Sequence, residues 1–165
     1  MMKGARLSIF LARTGLIAAL YAVVTLALYP ISYGPVQCRI SEVMTLLPIF
    51  FVEAIPGLII GCLIANIFSG VVMDMVFGTL ASALACVATF IIGKVVKNKA
   101  MPFIAALPPV LFNAFILPVM WMLFTENPGF YWYNFASVMI GQTLSVYVLG
   151  LPIYYALKSR LLKIK

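Results

Sequence analysis

The sequence predicts an all-α integral membrane protein, a single domain built as a bundle of six transmembrane helices. Three observations predict it. Of the 165 residues, 65% are hydrophobic and only 9% are charged, whereas a soluble domain is about half apolar and about a quarter charged. The few charges interrupt the apolar runs at intervals that suit spanning helices. The basic residues fall in three clusters flanking those runs. So few charges cannot cover a surface in water, and a bilayer is the solvent that fits.

A spanning helix needs about 20 mostly apolar residues. Arg13 and Arg39 bracket the first charge-free run, and the first helix is expected at 8–29, ending near Pro30. A secretory leader would precede a polar mature chain. Nothing downstream is polar enough, so this run is read as structure. Glu53 to Asp74 brackets a helix expected at 54–70, and Asp74 to Lys94 one at 73–97. Lys99 to Glu126 brackets one at 101–124. The last, between Glu126 and Lys158, is expected at 133–160. The stretch 41–52 is ambiguous, because its twelve residues make an α-helix only about 18 Å long against a hydrocarbon core of about 30 Å.

Parity decides the count. With six crossings both termini share one side, which then holds Lys3, Arg6, Arg13, Lys94, Lys97, Lys99, Lys158, Arg160, Lys163 and Lys165. The other side holds Arg39, with Glu42, Asp74 and Glu126, while Glu53 lies with the bases. Basic residues label the cytoplasmic side. The expectation is six helices in the plasma membrane with both termini in the cytoplasm. The basic tail from Lys158 reads as a topology anchor in contact with anionic headgroups of the lipid bilayer.

The net charge of +7 is accounted for by this topology, so no nucleic acid is expected as a partner. Cys38, Cys62 and Cys86 form no close pair and there is no histidine, so no metal site is indicated. There is no Gly-x-x-x-x-Gly-Lys-Ser/Thr loop, no His-Glu-x-x-His and no Gly-x-Ser-x-Gly. General acid–base work would fall to four carboxylates on loops. Neither an enzyme nor a cofactor is expected.

The polar residues inside the apolar runs are more informative. Asn66 ends the third helix, Asn113 lies halfway along the fifth and Gln142 in the first third of the sixth. Glu42 and Asp74 begin the second and fourth helices on the outer side, beside Arg39. Polar groups at membrane depth are costly and face the bundle interior or a wet cavity. The set predicts a pocket open to the outside; the alternative is interhelical glue. The aromatic residues Tyr29, Tyr33, Trp121, Tyr131, Trp132 and Tyr133 crowd the same side, as an interfacial belt does. One or two are available to stack on a flat ligand. The loop from Pro30 to Glu42 is shaped by two prolines and a glycine and carries Gln37, Arg39, Ser41 and Glu42. Its Arg and carboxylate either pair with each other or frame a ligand. The first helix carries Gly15, Ala18, Ala19 and Ala22, two small-x-x-x-small pairs that let another helix approach closely.

Gly34-Pro35-Val36-Gln37, Arg39-Ile40-Ser41-Glu42 and Leu46-Leu47-Pro48 together resemble the first-loop signature of the QueT family of queuosine-precursor transporters. Glu53-Ala54-Ile55-Pro56-Gly57-Leu58 and Ala65-Asn66-Ile67-Phe68-Ser69-Gly70 match as well. Cys38 departs from the pattern, where an aromatic residue is expected; the departure touches only the shape of the loop. The resemblance implies the substrate-capture (S) component of an energy-coupling factor (ECF) transporter, with six helices. It also implies docking on a transmembrane coupling protein and two ATPases. Gly15, Ala18, Ala19 and Ala22 match the positions of the docking face. The implied substrate is a deazaguanine-type base such as queuine or a precursor. Its donor–donor–acceptor edge suits Glu42 or Asp74, Asn66, Asn113 or Gln142, with Tyr33 or Trp132 for stacking and Gln37 and Arg39 from the loop. Two other classes stand beside this reading. A stand-alone carrier driven by an ion gradient would want inverted repeats or deep carboxylates. A structural subunit would use the polar residues only as glue.

Overall fold

The computed structural model describes residues 2–33, 37–70, 72–125 and 131–163. Gly34, Pro35 and Val36 of the first-loop motif, and Glu126 and Lys165 of the charge pattern, lie outside the described residues, as do the side chains of Lys3 and Lys163. The described residues are overwhelmingly helical. Helix α1 runs Met2–Ala27. A single turn, Tyr29–Ser32, follows with Pro30 in its first turn, where the missing N–H costs nothing. A 3-10 helix then spans Ile40–Ile49. Helix α2 is Ala54–Ser69, α3 Asp74–Val95, α4 Met101–Phe124 and α5 Tyr131–Leu161.

By length and composition α1, α3, α4 and α5 are long and apolar enough to cross a membrane. The 3-10 helix and α2 are apolar but shorter. Among the described residues four helices, not the six expected from the sequence, are long and apolar enough to span; the segments expected as the second and third crossings fall short of that length. The predicted α-helix over 41–52 is a 3-10 helix ending by Ile49, with Pro48 inside it. Its ten residues rise about 20 Å at 3-10 spacing, against about 15 Å as an α-helix. Helix α2 stops at Gly70, whose φ of 76° is the left-handed cap that glycine takes without strain. The helix expected at 101–124 breaks at Ala106, just before Pro108 and Pro109. Neither proline can donate into the helix ladder. The Ala105 carbonyl that Pro109 would have served accepts instead from Thr89 Oγ1 of α3, at 2.9 Å. Two segments are π-helical: Asp74–Gly78 opens α3, and Leu144–Gly150 interrupts α5.

Helices α1 and α2 pack most closely. A Cβ at Gly57 would lie 2.9 Å from the Thr14 carbonyl, and one at Gly61 2.7 Å from that of Ala18. Small residues let the backbones touch. Tyr21, Leu58, Cys62 and Cys86 fill the core between α1, α2 and α3. A second core joins Leu46, Val110, Val146 and Tyr154. Large apolar side chains such as Leu7, Leu16, Val23, Phe68 and Ile91 point outward, the arrangement a lipid-facing surface requires. The small residues of α1 divide between two faces. Ala18 and Ala22 are buried. Gly15 and Ala19 are exposed.

The basic ends converge. Arg13 pairs with Glu53 at 3.1 Å and stands 5.6 Å from the Phe51 ring centroid. The Phe50 and Tyr154 rings pack in a tilted pair with centroids 5.0 Å apart, and Lys158 lies over that Tyr154. Gly93, beside Lys94, abuts Ile49. The chain segments carrying Arg13, Lys94 and Lys158 therefore meet around residues 49–53.

Candidate functional site

The first loop, α2 and the π segment of α3 bring four of the sequence-predicted residues into a closed circuit. The Arg39 guanidinium lies 4.9 Å from the Tyr33 ring centroid. The Tyr33 hydroxyl donates to Asn66 Oδ1 at 3.3 Å. Asn66 Nδ2 donates to the Asp74 carbonyl at 2.8 Å. The Asp74 carboxylate faces Arg39 at 3.9 Å. Arg39 is only 1% exposed, so its charge depends on this neutralising shell. Burial pushes the Tyr33 phenol up to about 12, which keeps it a hydrogen-bond donor at any physiological pH.

The circuit is set up by backbone choices. Asp74 opens the π turn Asp74–Gly78, and its carbonyl there meets Asn66; such turns recur at functional sites. Gly78 makes room, since a Cβ there would lie 3.0 Å from Asn66 Nδ2. Gly141 does the same for the loop: a Cβ there would overlap the Gln37 carbonyl, so the loop lies directly on α5. Cys38 Sγ contacts Ser145 Oγ at 3.3 Å in the second π segment.

Glu42 sits beside this circuit, fully buried and within electrostatic range of Arg39. The Tyr21 hydroxyl of α1 donates to its Oε1 at 2.5 Å. Next to it Ser41 and Thr25 share a 2.6 Å hydrogen bond. Tyr21 and Thr25 escaped the sequence reading. Their spacing of four puts them on one helix face with Ala18 and Ala22, and that alignment was the available signal.

Gln37, Asn113 and Gln142 are buried too. Asn113 Nδ2 bonds back to the Pro109 carbonyl of its own helix. Trp132 is apart from the rest, at 71% exposure, packed edge-on against Tyr131 and Phe135. Among the described residues, the buried polar atoms without a hydrogen-bond partner include Gln37 Oε1, Arg39 Nε and Nη2, Glu42 Oε2, Asp74 Oδ1, Asn113 Oδ1 and Gln142 Oε1, besides the hydroxyls of Ser32 and Thr79. Each such atom costs about 1–3 kcal/mol if left unbonded, and buried polar groups are normally satisfied. Most are acceptors, so a group that complemented them would bring N–H or O–H donors. Among the described residues no cluster of three or more metal-ligating side chains occurs.

The chain matches the family described as QueT transporter over residues 11–159. It belongs to the QueT transporter family. A protein from Lactococcus lactis subsp. cremoris (strain MG1363), named Queuosine precursor transporter QueT, is 38% identical over 69 residues. That match spans 41% of this chain and 41% of the relative. No solved structure matches the chain. QueT membership and the apolar helices together make this a multi-pass membrane protein of a transport family.

Proposed function

We propose that this QueT protein is the substrate-capture subunit of an ATP-driven ECF-type importer, and that it binds a deazaguanine-type base, a queuosine precursor or queuine itself, from outside the cell. It has no catalytic role of its own. The observation that carries the reading is that Glu42 Oε2 and Asp74 Oδ1, the latter's carboxylate facing Arg39, are buried oxygens without a hydrogen-bond partner. A deazaguanine edge offers two adjacent N–H donors and one carbonyl acceptor. A carboxylate oxygen of Glu42 or Asp74 accepts from the first, and an Arg39 N–H or an amide donates to the second. The half-buried Tyr33 ring, a member of the same circuit, supplies the aromatic face for stacking. The relative's name, queuosine precursor transporter, supports this choice of base.

In this reading all six helices cross the plasma membrane, the 3-10 helix and α2 included, with both termini in the cytoplasm. The convergence of Arg13, Lys94 and Lys158 on one end of the bundle supports that orientation under the positive-inside rule. Tyr21 lies eight residues along α1 from Arg13, about 12 Å deeper, which sets Glu42 well away from the basic end. The outward face of α1 at Gly15 and Ala19 offers the close-approach surface for the transmembrane coupling protein, which in turn binds two ATPases.

Titration of queuine into the purified chain tests the capture role. Micromolar or tighter binding is expected, and Glu42→Gln should weaken it by at least about tenfold, since a hydrogen bond to a charged group is worth about 1.5–3 kcal/mol. Uptake by vesicles should require the coupling protein and both ATPases. Uptake by this chain alone would mark it as an independent carrier.

A further inference from the structure

We infer that Tyr21 of α1 is a positioning residue of the binding site: it clamps one oxygen of the Glu42 carboxylate so that the other faces the ligand. The inference rests on the reading of Glu42 as a ligand contact. Tyr21 is 1% exposed and lies in the α1–α2–α3 core. Its ring packs there as any core aromatic would, but its hydroxyl makes the 2.5 Å bond to Glu42 Oε1. The other oxygen, Oε2, is buried without a protein partner. A carboxylate with one oxygen fixed has lost its freedom to rotate before the ligand arrives. That lowers the ordering cost on binding.

A second tie supports the first. Thr25, one turn further along α1, meets Ser41 at 2.6 Å and donates to the Tyr21 carbonyl. Thr45 Oγ1 donates to the Glu42 carbonyl. Glu42 is therefore held by its side chain, by its neighbour and by its own backbone, and two of the three holds come from α1. The carboxylate is aimed by a helix whose opposite, outward face carries Gly15 and Ala19.

A double-mutant cycle tests this. Queuine binding is titrated for the wild type, Tyr21→Phe, Glu42→Gln and the double variant, with thermal melting of each. Tyr21→Phe removes one oxygen and keeps the ring. We expect it to weaken binding about tenfold in the wild type and less than about twofold in the Glu42→Gln background, because coupled residues are non-additive. Equal losses in both backgrounds would make Tyr21 ordinary core packing and overturn the inference while leaving the site intact. Full affinity in Glu42→Gln, or no queuine binding by the wild type, would overturn the site reading and the inference together. Should Tyr21→Phe fail to fold, Ser41→Ala takes its place. Its expected loss is about threefold, for one neutral hydrogen bond, and unchanged affinity would refute the clamp.

Discussion

Replacing Arg39 by Gln probes the circuit at its most charged point. Arg39 and Asp74 are both buried, with 3.9 Å between their nearest atoms. At an effective dielectric of about 20, two unit charges at that distance attract by about 4 kcal/mol. Removing the guanidinium leaves the Asp74 carboxylate buried without a counter-charge, a change that costs about 3–5 kcal/mol. It also removes the cation lying over Tyr33, worth about 0.5–2 kcal/mol. For a chain of this size the melting temperature should fall by roughly 6–20 °C. Cys62 and Cys86 are buried, so a thiol-reactive dye in detergent solution reports the transition as they become exposed. The second half of the experiment is Arg39→Gln with Asp74→Asn. Neutral replacement of both members of a buried pair is often close to neutral for stability, so the double variant should recover more than half of the loss. An Arg39→Gln protein that melts with the wild type, or a double variant no better than the single, would refute the claim that these two charges hold each other in the bundle.

Thr89→Val should lower stability by about 1–3 kcal/mol by stripping the Ala105 carbonyl of the donor that stands in for Pro109. Melting in the same dye assay checks it, and queuine affinity should not change. Ala19→Trp and Ala22→Trp should part company. The first points outward, so it should fold and bind queuine but fail to co-purify with the coupling protein. The second is buried and should be overpacked by about 1–3 kcal/mol or more, with binding and assembly lost together. Co-purification of both with the ATPases reads the difference; identical behaviour would remove α1's outward face from the docking surface.

The sequence made the membrane class legible because charge spacing is a coarse signal that survives any detail of packing. It also located the polar residues that the fold buries: Arg39, Glu42, Asn66, Asp74, Asn113 and Gln142 stand out against apolar runs. It could not say which of them meet. Arg39 reaches Asp74 and Tyr33 through a loop and a π turn, neither of which has a periodic signature. Tyr21 looked like one more aromatic in an apolar helix, because its role depends on a carboxylate 21 residues away. Trp132 was grouped with the site by its side of the membrane, yet its ring lies outside, where an interfacial tryptophan also belongs. The two small-residue pairs on α1 were read together as a docking face although they lie about 60° apart around the helix, and the fold turns Ala18 and Ala22 inward while leaving Gly15 and Ala19 outside. The 3-10 geometry of Ile40–Ile49 was hidden for a similar reason, since α and 3-10 turns share most residue preferences and differ in reach.

The two π segments give the site a dependence on chain length. A π turn is an α-helix carrying one residue too many, so it offsets everything on one side by roughly 100° of rotation and about 1.5 Å of rise relative to the other. In Asp74–Gly78 that offset decides which way the Asp74 carboxylate points relative to the rest of α3; in Leu144–Gly150 it decides where Ser145 and the start of α5 stand relative to Pro152 and the basic tail. A deletion of one residue in either segment would let the helix heal into regular α form, with better hydrogen bonds locally and every side chain still present. It would nonetheless disconnect the site, because the residues upstream would be dialled round to a different face. The arrangement of this buried circuit is therefore written partly as register, a property that no substitution scan of individual side chains would reveal.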